Sequence, residues 1–426
     1  GTRLTRLPRE QVGLCPVQVQ ILPPALLVSL VRGMIGTEKP LVGIVGKPNA
    51  GKSSMLKALT MVDVKIANYP FTTIDANVAT GFVTMPCVCR ELNVRCNPRN
   101  SPCVNGIRMI PVNIIDVAGL VPGACEGRGL GNKFLDELRR ADCLIHVVDC
   151  SGTTDSEGNP CEHHDPCEDI RFLEEEIDRW FESIIRRGLE KYERKIKYER
   201  VDVEDVLAEQ LAGLGITKSH IARVMEREEF NFDNLLSFAR ALRSVAKPML
   251  IAANKMDLPR SEENLKRMRK EFPDKIIIPC YAEGEIALKL AAKKGLIEYF
   301  PGEGDFKIKG EMSEKQREAL NRIKNFLEKW GSTGVQEALN KAVFELCGYV
   351  AVYPVENENK FADNAGNVLP DIVLVPKGST PRELAGRIHE DLERHFVCAI
   401  DARTKQKLPK DYELKHRDVI KIIARA

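Results

Sequence analysis

The sequence predicts an α/β fold with a smaller mixed unit at its carboxyl end, and three observations carry this. A strand-like run, Leu41 to Val45, passes through a glycine-rich loop into a helical pattern that includes Ala58 and Leu59. Two more apolar runs, Ile110 to Ile115 and Met249 to Ala253, end in polar turns at the carboxyl ends of strands, where open α/β sheets hold ligands. Beyond residue 349, short strand-like runs surround one helical stretch, Pro381 to Arg394, which Ser379 or Thr380 caps.

The glycine-rich loop is Gly46-Lys47-Pro48-Asn49-Ala50-Gly51-Lys52-Ser53, which fits G-x-x-x-x-G-K-S/T. In a strand, loop, helix setting, backbone N–H groups and the helix N-terminus point at phosphates. Lys52 then reaches the outer phosphates, Ser53 offers a hydroxyl to Mg2+, and Ser54 completes the nucleotide-binding stretch. This loop specifies a nucleotide without specifying the base.

The base is read from Asn254-Lys255-Met256-Asp257, at the end of the run from Met249. An ionised Asp257 accepts from both the ring N–H and the exocyclic amine of guanine, whereas adenine has an acceptor at that ring nitrogen and no amine beside it. Between the two motifs lie Tyr69-Pro70-Phe71-Thr72-Thr73 and Asp116-Val117-Ala118-Gly119. They supply the remaining parts of a phosphate switch: Asp116 for the metal through water, the Gly119 N–H for the γ-phosphate, and an upstream threonine for the metal shell.

The arrangement resembles the Obg superfamily of translation-associated GTPases from about Met34 onward. Asn68 to Thr73 is similar to that family's first switch, and Asp116 to Ala124 with Gly127-Arg128-Gly129-Leu130-Gly131 is similar to its glycine-rich second switch. The nearest branch is the archaeal and fungal group beside YchF, which keeps the Asn-Lys-x-Asp that ATP-preferring YchF proteins lack. The resemblance implies a P-loop GTPase domain with a helical insertion, and a nucleotide set that includes Phe71, Thr72 and Thr73, with Thr73 on the metal. The last base-contacting motif, Ser-Ala in the family, is here Tyr281-Ala282-Glu283, where Ala282 offers its N–H to the guanine oxygen and the tyrosine is a departure.

Leu120 stands where Ras-like enzymes place a water-orienting glutamine, so slow intrinsic hydrolysis is expected. Related GTPases with an asparagine at position 49 bind K+ between the phosphates, which gives Asn49 a catalytic reading beside Lys52, Thr73 and Gly119. The alternative is that Asn49 only stabilises the loop.

With 426 residues, two or three domains are expected, and the net charge of +2 confines any RNA contact to a local patch. No apolar stretch is long enough to span a bilayer, and a cytoplasmic monomer is expected. Residues 1–35 carry Arg3, Arg6 and Arg9 before an apolar run, Val17 to Val31, that Pro23 and Pro24 break. No small-residue cleavage site follows, so an unstructured extension or a start placed too early is expected rather than a secretory signal.

Four of the thirteen cysteines, Cys87, Cys89, Cys96 and Cys103, cluster in a loop rich in Pro, Asn and Gly. Four thiolates suit tetrahedral Zn2+, although Cys-x-Cys is tighter than the usual knuckle; two disulfides or unpaired thiols remain the alternatives. Cys161, His163, His164 and Cys167 read as a polar loop. Asp165-Pro166 with Glu168 reads as a capping box. The apolar stripe Ile170, Leu173, Ile177, Trp180, Phe181, Ile184 and Ile185 then opens a helical insertion over 161–245.

The GTPase unit is thus expected over 36–160 and 246–310, connecting helices over 311–348, and a β-grasp unit over 349–426. Asp363 to Pro370, Pro376 to Thr380 and Ile388-His389 are similar to a TGS domain, a module shared with threonyl-tRNA synthetases and stringent-response enzymes. From Lys377 to Ala426 there are 12 Lys or Arg and 8 Asp or Glu, a balance of 12 minus 8, or +4. The expected function is a slow GTP-hydrolysing switch, exchanging GTP and GDP, whose states are read by the ribosome or other translation-linked RNA. The alternative is an RNA-binding adaptor that senses the nucleotide with negligible hydrolysis.

Overall fold

In the computed structural model, residues 39–61, 78–117, 137–192, 202–228 and 230–425 are described. The expected amino-terminal extension, the first switch with Phe71, Thr72 and Thr73, and the second switch from Ala118 through Gly119 and Leu120 to Gly131 lie outside them.

In chain order the elements begin β1 (Leu41–Val45), α1 (Lys52–Thr60), β2 (Val78–Pro86), β3 (Cys103–Val104), β4 (Ile107–Asp116) and β5 (Cys143–Asp149). Four helices follow, α2 (Pro166–Leu189), α3 (Val203–Leu211), α4 (Lys218–Met225) and α5 (Leu235–Ala246). The chain then returns through β6 (Met249–Asn254), α6 (Ser261–Glu271), β7 (Ile277–Pro279), α7 (Ala282–Lys293) and the small pair β8 (Ile297–Glu298) and β9 (Lys307–Ile308). Helices α8 (Glu314–Trp330) and α9 (Val335–Lys341) lead to β10 (Tyr349–Val355), β11 (Val373–Pro376), α10 (Pro381–Ile388), α11 (Glu390–Arg394), β12 (Phe396–Asp401) and β13 (Val419–Ala424).

The main sheet runs β2-β4-β1-β5-β6-β7, with β3 added to β4. All neighbours from β4 to β7 are parallel, and β2 is antiparallel to β4. Every residue of β5 is buried, as a strand covered on both faces requires. Along β1 the side chains alternate: Val42 and Ile44 join a core with α1, α9 and the carboxyl-terminal sheet, while Val45 joins a core with α2, α3, α4 and α5. The sheet is therefore sandwiched, and the carboxyl-terminal unit shares a continuous apolar core with it.

The helical stripe of α2 packs as its spacing predicts, with Ile177, Phe181 and Ile185 fully buried. Buried Asp178 takes bonds from Arg243 (2.8 Å) and Arg240 (3.1 Å), fixing α2 against α5. The capping box at its start does not form: Asp165 accepts from the Cys167 N–H at 2.9 Å, and Glu168 stands beside His164 instead.

The carboxyl-terminal sheet has the order β11-β10-β13-β12. The single helix expected over Pro381 to Arg394 is two helices. His389 is extended (φ −162°, ψ 141°) between them, and its side chain accepts from the Asp391 N–H to start the second. Thr380, not Ser379, caps the first, in a reciprocal capping box with Glu383.

Candidate nucleotide-binding site

The loop after β1 runs so close to β5 that side chains are excluded. A Cβ on Gly46 (φ +144°) would lie 2.3 Å from the Val147 carbonyl oxygen, and one on Gly51 (φ +99°) would lie 2.2 Å from Asn254 Nδ2. No side chain caps the start of α1, where Gly51 is the N-cap, and no acid lies in its first turn. That leaves the N-terminal amides and the positive end of the helix dipole for an anionic ligand. The Lys52 ammonium donates to the carbonyls of Gly46 (2.7 Å) and Lys47 (2.9 Å). Burial lowers its pKa, opposed by the charge of Asp116. Ser53 is exposed in the first turn, with half-buried Ser54 behind it.

Asp116 ends β4 opposite Ile44 of β1, and the next N–H, of Val117, donates to Ile44 at 3.0 Å. Parallel register alone therefore carries this carboxylate to the mouth of the loop. Asn49 (φ +60°) donates its amide to the Gly158 carbonyl at 2.9 Å. Gly158 in turn approaches so closely that a Cβ there would meet the Pro48 carbonyl oxygen at 2.6 Å.

The side chain of Lys47, placed with the nucleotide-binding set by its motif, is engaged elsewhere. Its ammonium is buried, donating to the Thr154 carbonyl at 2.7 Å and pairing with Asp169 of α2 at 2.8 Å. Asp169 also meets His164 at 2.8 Å. Burial holds its carboxyl above the usual range in spite of both partners. What remains for a ligand from Lys47 is backbone.

On the base side, buried Asn254 bridges two loops. Its Nδ2 donates to Ala50 of the phosphate loop at 3.1 Å, and its Oδ1 accepts from the Ala282 N–H at 3.2 Å. Lys255 (φ +62°) reaches back to Asp149 at 2.9 Å. Burial alone would raise the Asp149 carboxyl, but bonds from Ser151, Lys255 and Thr154 outweigh it and leave the group below the usual carboxylate range. Asp257 and Glu283 are exposed at the rim. Partial desolvation, helped by the Glu283 charge, raises the Asp257 carboxyl.

Tyr281 finds its reason in packing. Its ring lies over Gly284, where a Cβ would sit 2.4 Å from Tyr281 Cδ1, and packs in a tilted arrangement, centroids 5.2 Å apart, against Phe326 of α8. Its N–H donates to the Thr333 carbonyl at 2.9 Å. The departure from Ser-Ala thus anchors the base-side loop to the connecting helix.

Sequence reasoning missed Asp149, Thr154, Gly158 and Asp169, which brace the site from behind. Only Asp149 carried a signal: it ends the run from Leu144 to Val148, apolar except for His146, much as Asp116 ends β4.

Away from this site, the sulfur atoms of Cys87, Cys89, Cys96 and Cys103 all lie within 4.8 Å of one another. The second group does not converge. His164 faces Asp169, Cys167 is in the core, and His163 faces Arg260.

A parallel sheet with a phosphate loop after its first strand and an Asn-Lys-x-Asp turn bonded to that loop defines the class of P-loop GTPases. Family models agree: one described as 50S ribosome-binding GTPase matches residues 41–183, one described as Obg-like GTPase YGR210-like, G4 motif-containing domain, matches 252–357, and the TGS domain matches 365–424. The chain is 52% identical to an uncharacterized GTP-binding protein of Methanocaldococcus jannaschii, over 91% of this chain and 99% of that one. It is 29% identical to the ribosome-binding ATPase YchF of Bacillus subtilis, over 84% and 87%. A crystal structure of a GTP-binding protein from Pyrococcus horikoshii superposes with a TM-score of 0.72 at 40% identity, covering 90% of this chain and 99% of that one. The chain belongs to the YGR210-like, YchF-related group of Obg-like GTPases. Among the described residues, no helix is long and apolar enough to cross a membrane.

Proposed function

We propose that this protein binds GTP and GDP with Mg2+, hydrolyses GTP slowly, and acts as a switch read by the ribosome or other translation-linked RNA. The observation that carries the nucleotide reading is Asn254, hydrogen-bonded to both Ala50 and Ala282, which joins the phosphate loop and the base-side loop in one site. Asp257 stands at its rim with two acceptor oxygens for the guanine ring N–H and amine, while the Ala282 N–H expected on the guanine oxygen is here donated to Asn254.

The Ser53 hydroxyl, in the first turn of α1, and the Asp116 carboxylate, set beside Ile44 by the β1–β4 register, are hard oxygen donors that fit Mg2+. When bound, Mg2+ neutralises charge on the β- and γ-phosphates. Lys52 lies on the Gly46 and Lys47 carbonyls, within reach of an outer phosphate oxygen, and the α1 amides take the others. Thr73 is assigned to the metal by family resemblance, and the Gly119 N–H to the γ-phosphate by its Asp-x-x-Gly motif. In hydrolysis, water adds to the γ-phosphorus, the bond to the β–γ bridging oxygen breaks, and GDP, phosphate and a proton leave. No glutamine follows Gly119, so turnover is slow until K+ or a partner adds positive charge. Asn49, anchored through its amide nitrogen, keeps an oxygen suited to K+.

The translation link rests on the names of the YchF relative and the GTPase family model, and on the local +4 balance of residues 377–426. Two experiments test the reading. Displacement of a fluorescent GDP should require at least about 100-fold more ATP or ADP than GTP; equal displacement would overturn the guanine assignment. Cosedimentation with ribosomes should be stronger with a non-hydrolysable GTP analogue than with GDP and should weaken as salt rises; no binding in either state would remove the ribosome as the partner.

A further inference from the structure

We propose that Cys87, Cys89, Cys96 and Cys103 bind one Zn2+ as a tetrathiolate, and that this metal staples the loop on which the carboxyl-terminal unit is seated. The inference is independent of the nucleotide site.

Cys87 and Cys89 are neighbours in sequence, but Cys96 and Cys103 come from farther along the loop. Here their sulfur atoms lie within 4.8 Å of one another, and all four are free. Zinc–sulfur bonds of about 2.3 Å place tetrahedral sulfurs about 3.8 Å apart, a small contraction of this cluster. Two disulfides would need sulfurs bonded in pairs at about 2.05 Å, with none of the mutual approach of all four. A closed set of four soft ligands suits a structural metal.

The loop also needs a staple. Between Cys87 and β4 its only regular structure is the two-residue strand β3, and Asn93, Asn105 and Gly106 take positive φ. Cys87 and Cys89 are buried just after β2, whereas Cys96 lies in the open loop and Cys103 begins β3. One ion would tie all four points together. The dianionic complex has a cation nearby: Arg108 is paired in register with Cys103, is fully buried, donates to Ser101 at 2.9 Å and lies over the Tyr353 ring.

What the staple holds is an interface. The Asn97 and Arg99 N–H groups donate to the Val368 (2.8 Å) and Pro370 (2.7 Å) carbonyls, and Asn100 donates to Ile372 at 2.9 Å. Arg99 pairs with Asp371 and Asp363, Glu91 pairs with Arg417, and the Tyr353 hydroxyl lies 3.6 Å from Cys87 Sγ. Every one of these contacts joins the cysteine loop to the carboxyl-terminal unit. Loss of the metal should free that unit while leaving the phosphate loop intact.

The test is elemental analysis of the full chain purified without added metal. About one zinc per chain is expected, released with four thiols on mercurial titration; iron, or no metal with the four thiols reacting at once, would overturn the assignment. Cobalt exchange should give the visible bands of a tetrahedral thiolate site. Cys96→Ser and Cys103→Ser should each lose the zinc, keep GDP binding within about twofold and become cleavable by protease between the two units, while Cys398→Ser retains the metal. If the variants do not fold, removing zinc from the wild-type chain with a chelator and repeating the proteolysis decides the second half. Protection unchanged after zinc leaves would overturn the staple.

Discussion

Lys47 and Asp169 form an ion pair at 2.8 Å, both about 95% buried, that ties the phosphate loop to the first helix of the inserted bundle. The loop of a P-loop protein is mostly glycine and backbone, so its shape depends on what stands behind it. Here that support is α2, through Asp169, and the 154–158 turn, through the Thr154 and Gly158 carbonyls. The inserted helices are therefore mechanically part of the site.

Removing one partner of this pair leaves a buried charge. Asp169→Ala should cost about 3 kcal/mol of stability and weaken GDP binding, read from urea unfolding and from nucleotide titration. The double variant Lys47→Met/Asp169→Leu should recover most of the stability. Arg171→Ala, which breaks an exposed pair with Glu271, should change stability by under about 0.5 kcal/mol. A loss as small as this for Asp169→Ala would show that the pair does not brace the loop.

Asp257→Asn should exchange the base. An amide accepts from the ring N–H but offers a donor where guanine has an amine, and xanthine has an oxygen there. GDP affinity should fall by about 100-fold and xanthosine diphosphate affinity should rise, measured by competition against a fluorescent nucleotide. Unchanged GDP affinity would remove Asp257 from base recognition.

His146 predicts an acid-sensitive fold. It is buried in β5, and burial pushes its pKa down to about 3, with Lys52, Lys275 and Lys47 adding to the effect. The unfolded chain takes up this proton near pH 6.5 and the folded chain does not, so stability is lost as pH falls below 6.5. The loss from this group should be about 2 kcal/mol by pH 5 and should go on growing toward pH 3. Asp149, whose pKa is lowered from 3.8, adds a further loss only at lower pH. His146→Gln should flatten the decline between pH 6.5 and 5 in urea midpoints; an unaltered slope would assign it to other groups.

Replacing K+ by Na+ should slow GTP turnover by about 10-fold or more, and Asn49→Ala should abolish the difference. Equal turnover in the two salts would leave Asn49 as a loop residue bonded to Gly158 and nothing more.

Legibility followed the range of the interactions. Thr380, one of the two caps the sequence offered, does start its helix, since such signals are local. The box expected at Asp165 did not form: Asp165 takes the Cys167 N–H and the Glu168 side chain lies beside His164, a neighbour that no local spacing reveals. Strands β2 and β5 were not singled out. β2 carries a Gly and ends in Pro86, which an edge strand tolerates, and β5 hides a histidine and a carboxylate in an otherwise apolar run. Tyr281 looked like a flaw in a motif until Phe326, far along the chain, supplied the surface it packs on.

The sequence by itself determined the phosphate loop, the Asn-Lys-x-Asp turn and the strands they follow. These rest on steric and hydrogen-bonding demands within a few residues, such as glycine where the backbone must turn close to a neighbour. Only the tertiary structure decided that Lys47 turns away to Asp169, that Asn254 joins the two loops, and that the cysteine loop carries the carboxyl-terminal unit. Each of those depends on burial, and burial is set by which distant segments meet: a lysine's partner or a loop's seat has no local spacing to reveal it.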